Sequence, residues 1–201
     1  MSKRSKTFVL AVLVSVAALV PSRVTAGSIR TTLGSFAFLK QEKQVNLEFD
    51  YSNMKVGRKP KDCVPEEEFI ARLNQKQPGH GDMWKREWTG SAPNYQRKFQ
   101  ELLNKQFAEA AVPLEFGSFK DAEYTLILKT TTVVTGTEGF IPSPPFISAD
   151  AVFVETGRRT NTVAVAQIEK MPGSGAWAFD MREAYAKAGK DLGILLRRKA
   201  K

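Results

Sequence analysis

The 201-residue chain contains one cysteine and one histidine, and these two scarcities exclude more chemistry than any other feature. A lone Cys63 cannot form an intramolecular disulfide, and a chain of this length can bury enough core to do without one. One Cys and one His cannot build the usual zinc cages. Glycine-rich phosphate loops are missing too: GHG and GSG lack both the spacing and the following Lys-Ser/Thr. There is no nucleophile elbow, and His80 lies in QPGHGD, a predicted loop that offers no orienting scaffold for a Cys–His pair. No catalytic constellation, metal site or cofactor is therefore expected. No run after Val20 is long and apolar enough to span a bilayer, and no internal repeat or low-complexity segment stands out.

What is present begins with an address. In MSKRSKTFVLAVLVSVAALVPSRVTAG, the basic residues Lys3, Arg4 and Lys6 precede an uncharged apolar segment from Thr7 to Val20. Val24-Thr25-Ala26 places small residues where a signal peptidase inspects them. The apolar segment is shorter than the roughly 20 residues a spanning helix needs. Residues 1–26 thus read as a signal peptide cleaved after Ala26, and no Cys follows to carry a lipid anchor. Removing them takes away Lys3, Arg4, Lys6 and Arg23 but no acid. The formal charge falls from +9 to +5 over the remaining 175 residues (201 less 26). That surplus suits solubility and does not argue for a nucleic-acid partner.

Residues 27–201 are expected to form one domain. Gly27 to Gln44 is weakly patterned and is expected to begin as a flexible or edge segment. VNLEFDY puts Val45, Leu47, Phe49 and Tyr51 on one strand face, opposite Asn46, Glu48 and Asp50. After the basic loop GRKPKD, Pro65 precedes Glu66, Glu67 and Glu68 in a helical first turn, with Phe69, Ile70 and Leu73 as its apolar stripe. The acidic run could be read as paired carboxylates or a metal site, but the helix dipole explains it. The unpaired Cys63 thiol could be buried, bridge two chains or be reactive, since a helix opening at Pro65 would set it near a positive helix end that favours thiolate. A second helix is predicted to start at Ser91 and to carry Tyr95, Phe99, Leu102, Leu103 and Phe107. YTLILKTTTVV reads as a strand from its β-branched residues. FVETGRRTNTVAVAQ reads as a hairpin, with Arg158 and Arg159 solvated at its turn. Met181, Tyr185, Leu192 and Leu196 stripe a last helix. These elements predict an α+β fold: a two-layer sandwich whose sheet has about four mixed or antiparallel strands, with helices packed on one face.

The order of elements from residue 45 to 197, with Glu155-Thr156-Gly157 at the hairpin, resembles small exported domains of Gram-negative bacteria. These include the TolB amino-terminal domain, the curli-secretion lipoprotein and related secreted families. The resemblance implies an α+β envelope domain that acts as a scaffold or interaction module, and it transfers no binding residue. Two segments are candidates for contact with a partner or ligand. Trp84 and Trp88 in DMWKREW flank cations, as rings that stack on sugars or anchor a protein do. Phe140, Ile141 and Phe146 in GFIPSPPF sit among prolines, which lower the ordering cost of a binding loop. The expected function is an exported, non-enzymatic binding or interaction protein of the cell envelope, in the periplasm or secreted, with an envelope protein or glycan as partner. The alternatives are a glycan-directed hydrolase working through paired carboxylates and a small-ligand carrier, which would need a closed apolar cavity.

Overall fold

Eight strands, not about four, pair into a single mixed sheet, and this overturns the smaller sheet expected above. The computed structural model describes residues 27–137, 143–173 and 181–199. In chain order the elements are β1 (Ser28–Gly34), β2 (Gln44–Asp50), β3 (Lys55–Gly57), β4 (Val64–Pro65), α1 (Glu66–Lys76), α2 (His80–Ala108), β5 (Glu115–Gly117), β6 (Tyr124–Val134), β7 (Phe146–Glu155), β8 (Arg158–Pro172) and α3 (Arg182–Lys199). Strand order is β1-β8-β7-β6-β2-β5, with β3 and β4 attached beside the far half of β6. The fold class remains α+β.

The three long strands β6, β7 and β8 form an antiparallel meander. β2 returns parallel to β6, with Leu47 opposite Leu126 and Phe49 opposite Leu128. The helices between β2 and β6 supply the crossover that a parallel neighbour requires. The strands that raise the count to eight are β1, β3, β4 and β5. Three of these are two or three residues long, too short to show a period of two. Tertiary partners hold them instead: the Asn104 side chain of α2 donates to the Phe116 carbonyl and accepts from its N–H, both at 2.8 Å, sealing the outer edge of β5. β1 occupies the weakly patterned segment and forms the opposite edge.

One face of the sheet carries the core. Leu126 and Leu128 of β6, Ala149, Ala151 and Phe153 of β7, and Ala164, Ala166 and Ile168 of β8 are all buried. The four alanines leave room for helices to sit close. Phe36 and Leu39, on a single 3-10 turn after β1, fold into the same layer, with Phe36 edge-on to Phe153 at 5.4 Å. Tyr185 of α3 is fully buried there, and its hydroxyl shares a 2.8 Å hydrogen bond with Thr130. Among the described residues, the other face is open along its middle, with Asn46, Thr125 and Val154 buried at one end of it. Ile127, Val152 and Val165 line up across β6, β7 and β8 on it, beside a row of Lys129, Asp150, Gln167 and Arg30.

α2 is the second correction. It spans 29 residues from His80, so Ser91 and Pro93 lie inside it rather than at its start. Pro93 has no N–H to give the preceding turn, a loss of roughly 3 kcal/mol in a helix interior. The buried stripe Trp84, Trp88, Ala92, Tyr95, Phe99, Leu103 and Phe107 runs unbroken through that position, and its burial outweighs the proline.

Candidate functional site

α1 and α2 meet at a sharp corner whose construction begins with glycine. Gly79 adopts φ +80, a left-handed conformation that breaks the helix without a Cβ penalty. Gly81, the second residue of α2, is buried against α1, where a Cβ would meet the Ile70 backbone. Its N–H donates to Asn74 Oδ1 at 2.7 Å, so an α1 side chain satisfies an orphan donor of α2. Lys85 Nζ reaches both Glu66 oxygens at 2.8 Å and closes the corner from outside. Glu68 pairs with Arg72 one turn on. The acidic run therefore serves helix α1 and its neighbour. Among the described residues, no three His, Cys, Asp or Glu side chains converge as metal ligands.

The corner encloses a concavity of about 180 Å³. Phe69 and Trp84, both buried, make its floor with rings edge-on at 5.2 Å. Leu73 adds an aliphatic wall. Met83 is 39% exposed at the rim, one of two large apolar side chains so exposed among the described residues. His80 and Arg58 complete the rim. Thr135, 6% exposed, forms the back wall just beyond the end of β6. Behind the floor the aromatic packing continues inward: Trp84 stacks on Trp88 at 5.9 Å, Trp88 contacts Tyr95 at 5.6 Å, and Tyr95 stacks on Tyr185 at 5.6 Å. The floor is thus anchored through to α3 and is rigid for a simple packing reason.

Two other concavities are larger and more open. One of about 770 Å³ runs along β5 and the end of α2, between Lys43, Lys105 and Pro113. The other, about 670 Å³, lies between the loop before β6 and the β7–β8 turn, lined by Lys120, Asp121, Glu123, Glu155 and Arg158. Neither has an aromatic floor. An apolar hollow with a few convergent polar groups is the usual form of a binding site, and the α1–α2 corner has it.

The residues singled out from sequence fare unequally. Trp84 and Trp88 do not stack in solvent: they are 4% and 6% exposed, because DMWKREW is helical and both rings fall on the buried stripe. Trp84 nevertheless lines the concavity, whereas Trp88 is enclosed by Tyr51, Trp84 and Tyr95. Phe146 opens β7 opposite Val134 and Pro172, half-buried and outside the concavity lining. Phe140 and Ile141 lie outside the described residues. His80, Met83, Leu73, Arg58 and Thr135 went unrecognised. The i, i+4 spacing of His80, Trp84 and Trp88 was the available signal, hidden by assigning QPGHGD to a loop.

Two further side chains behave differently from expectation. Burial, reinforced by Asp62, pushes the Cys63 thiol up, and its Sγ donates to the Lys59 carbonyl at 3.5 Å. The thiolate-favouring setting read from the helix end is not what the fold builds. Arg159 is not simply solvated: its guanidinium donates at 2.6 Å to Glu48 of β2, lying over the open sheet face. Arg158 stands 3.7 Å from Glu155.

No family model matches this chain, and no curated protein matches it. Matching solved structures include the PelC dodecamer from Paraburkholderia phytofirmans. That likeness has a TM-score of 0.44 at 12% identity and covers 87% of this chain and 99% of the PelC chain. A single-substitution variant of the same protein in another space group gives a TM-score of 0.41 at 12% identity, covering 84% and 98%. At these scores the likeness carries no argument about function.

Proposed function

We propose that this is an exported, non-enzymatic binding protein of the bacterial cell envelope, which engages a protein or glycan through the α1–α2 concavity. The observation that carries the proposal is the concavity itself: a preformed aromatic floor of Phe69 and Trp84, open to solvent past the exposed Met83. Preformed apolar hollows with a polar rim bind without an ordering cost in the floor. The leader of residues 1–26 supports the address in the periplasm or outside the cell. No helix among the described residues is long and apolar enough to cross a membrane.

Two measurements test this. Intact mass of protein recovered from the envelope fraction should correspond to a chain beginning at Gly27; a mass that retains Met1 to Ala26 would make the segment an anchor. A photo-crosslinking residue at position 83 should form adducts in cells that disappear when Leu73→Arg fills the concavity, and the same residue at position 129 on the open sheet face should form none. Sugar release from a glycan, lost on replacing a carboxylate, would instead make the protein a hydrolase.

A further inference from the structure

We infer that the α1–α2 concavity takes an apolar group the size of one aromatic ring joined to a carboxylate. The inference rests on the binding reading above and names its ligand chemistry. Size comes first. A dry cavity of about 150 Å³ accepts benzene, and this hollow measures about 180 Å³. It has room for one ring or one branched aliphatic side chain and little more. Its walls suit a ring: Phe69 already meets Trp84 edge-on, and the Met83 thioether stands at the mouth, where sulfur–aromatic contact is favourable.

Charge comes second. Arg58 makes no hydrogen bond or ion pair with any described side chain, and neither does His80, although both line the hollow. Three acids of the α1–α2 corner are already engaged. Glu66 is held by Lys85, Asp82 accepts from Asn74, and Glu68 is paired with Arg72. The mouth also lies at the N-terminus of the 29-residue α2, where helix polarity adds positive potential. The third observation is inside. Thr135 is more than nine-tenths buried and lines the hollow. A threonine hydroxyl both donates and accepts, so a ligand oxygen that reaches it gains a hydrogen bond. A guanidinium, an imidazole and a hydroxyl set around one apolar hollow match an aromatic carboxylate. A neutral ring would leave the Arg58 guanidinium idle, and an inorganic anion would leave the floor empty.

The chemistry has two sources, the C-terminal residue of a polypeptide and a free aromatic acid. The experiment uses the full mature chain with labelled methionine methyls, following Met83 by NMR. The probes are N-acetyl-phenylalanine, its primary amide, phenylacetate and a hexapeptide ending in phenylalanine. N-acetyl-phenylalanine should bind about tenfold or more tightly than the amide, as a charge-assisted bidentate contact predicts. Arg58→Gln should abolish that difference and leave the thermal midpoint unchanged. A hexapeptide that outbinds phenylacetate supports the assignment with a chain terminus as source. The reverse order supports it with a free acid. Equal binding of acid and amide, or no effect of Arg58→Gln, overturns the carboxylate assignment while leaving an apolar binding site. If no probe shifts Met83, the aromatic-carboxylate assignment falls, while crosslinking at position 83 decides the binding reading separately.

Discussion

Replacing Gly189 and Gly90 by alanine makes the same chemical change in two helices, and the structure requires the outcomes to differ in sign. In a helix interior alanine is favoured over glycine by about 0.8–1.0 kcal/mol, because glycine forfeits more backbone entropy on folding. At Gly90, in the middle of α2, an added Cβ meets nothing within 4 Å. The whole propensity gain should survive, so Gly90→Ala stabilises by about 0.5–1 kcal/mol. At Gly189 the new Cβ would run into the backbone of Phe99, only 2.9 Å from its carbonyl carbon and 3.0 Å from its Cα. Backbone cannot rotate aside as a side chain can. Gly193, one turn on, faces the Gln106 side chain at 2.8 Å, so the two glycines together set how closely α3 approaches α2. Overpacking of this kind costs about 1–3 kcal/mol. Net of the propensity gain, Gly189→Ala should lose up to about 2 kcal/mol. With a urea slope of about 2 kcal/mol per molar, that lowers the midpoint by up to about 1 M, while Gly90→Ala raises it by about 0.2–0.5 M. Equilibrium urea melts of the two variants against the parent decide the matter. A Gly189→Ala protein at least as stable as the parent would mean that α2 and α3 do not approach at Phe99, and the described packing would be wrong.

In the same helix, Leu192→Ala and Tyr185→Ala should each cost about 2–5 kcal/mol, since both side chains are fully buried. Lys187→Ala should change stability by less than about 0.5 kcal/mol because Lys187 is exposed; the same melts check all three. A carboxyl NMR titration should find Glu48 below the ordinary carboxylate range, held there mainly by the hydrogen bond from Arg159. A lowered folded value means that the pairing favours the fold above the ordinary carboxylate range and that the contribution is lost as pH falls through the lowered value. Both partners are more than a third exposed, so the effect on stability is small and the titration is the sensitive measurement. Arg159→Ala should return Glu48 to the ordinary range, and an unmoved titration would refute the pairing.

Local pattern alone determined the parts of this protein whose signal repeats. The alternation in VNLEFDY and in the strands around the Thr156-Gly157 turn, and the dense β-branching of YTLILKTTTVV, mark β2, β6, β7 and β8, because a period of two needs five or more residues to be visible. The helical stripes of α1 and α3 are legible for the same reason, and the acids after Pro65 announce where α1 begins. Tertiary structure decided the rest. β3, β4 and β5 exist because β6 and Asn104 supply partners from distant sequence, and no local propensity of two or three residues could announce them. The start of α2 turned on a conflict between Pro93 and an aromatic stripe, settled by burial that only the packed sheet provides. Arg159 finds Glu48 across a separation of 111 residues, so its pairing is a product of sheet order and twist. The candidate site is the clearest case. Trp84 could be singled out from its neighbours, but whether its ring faced water, core or a hollow depended on the α1–α2 corner that brings Arg58, Phe69 and Thr135 beside it.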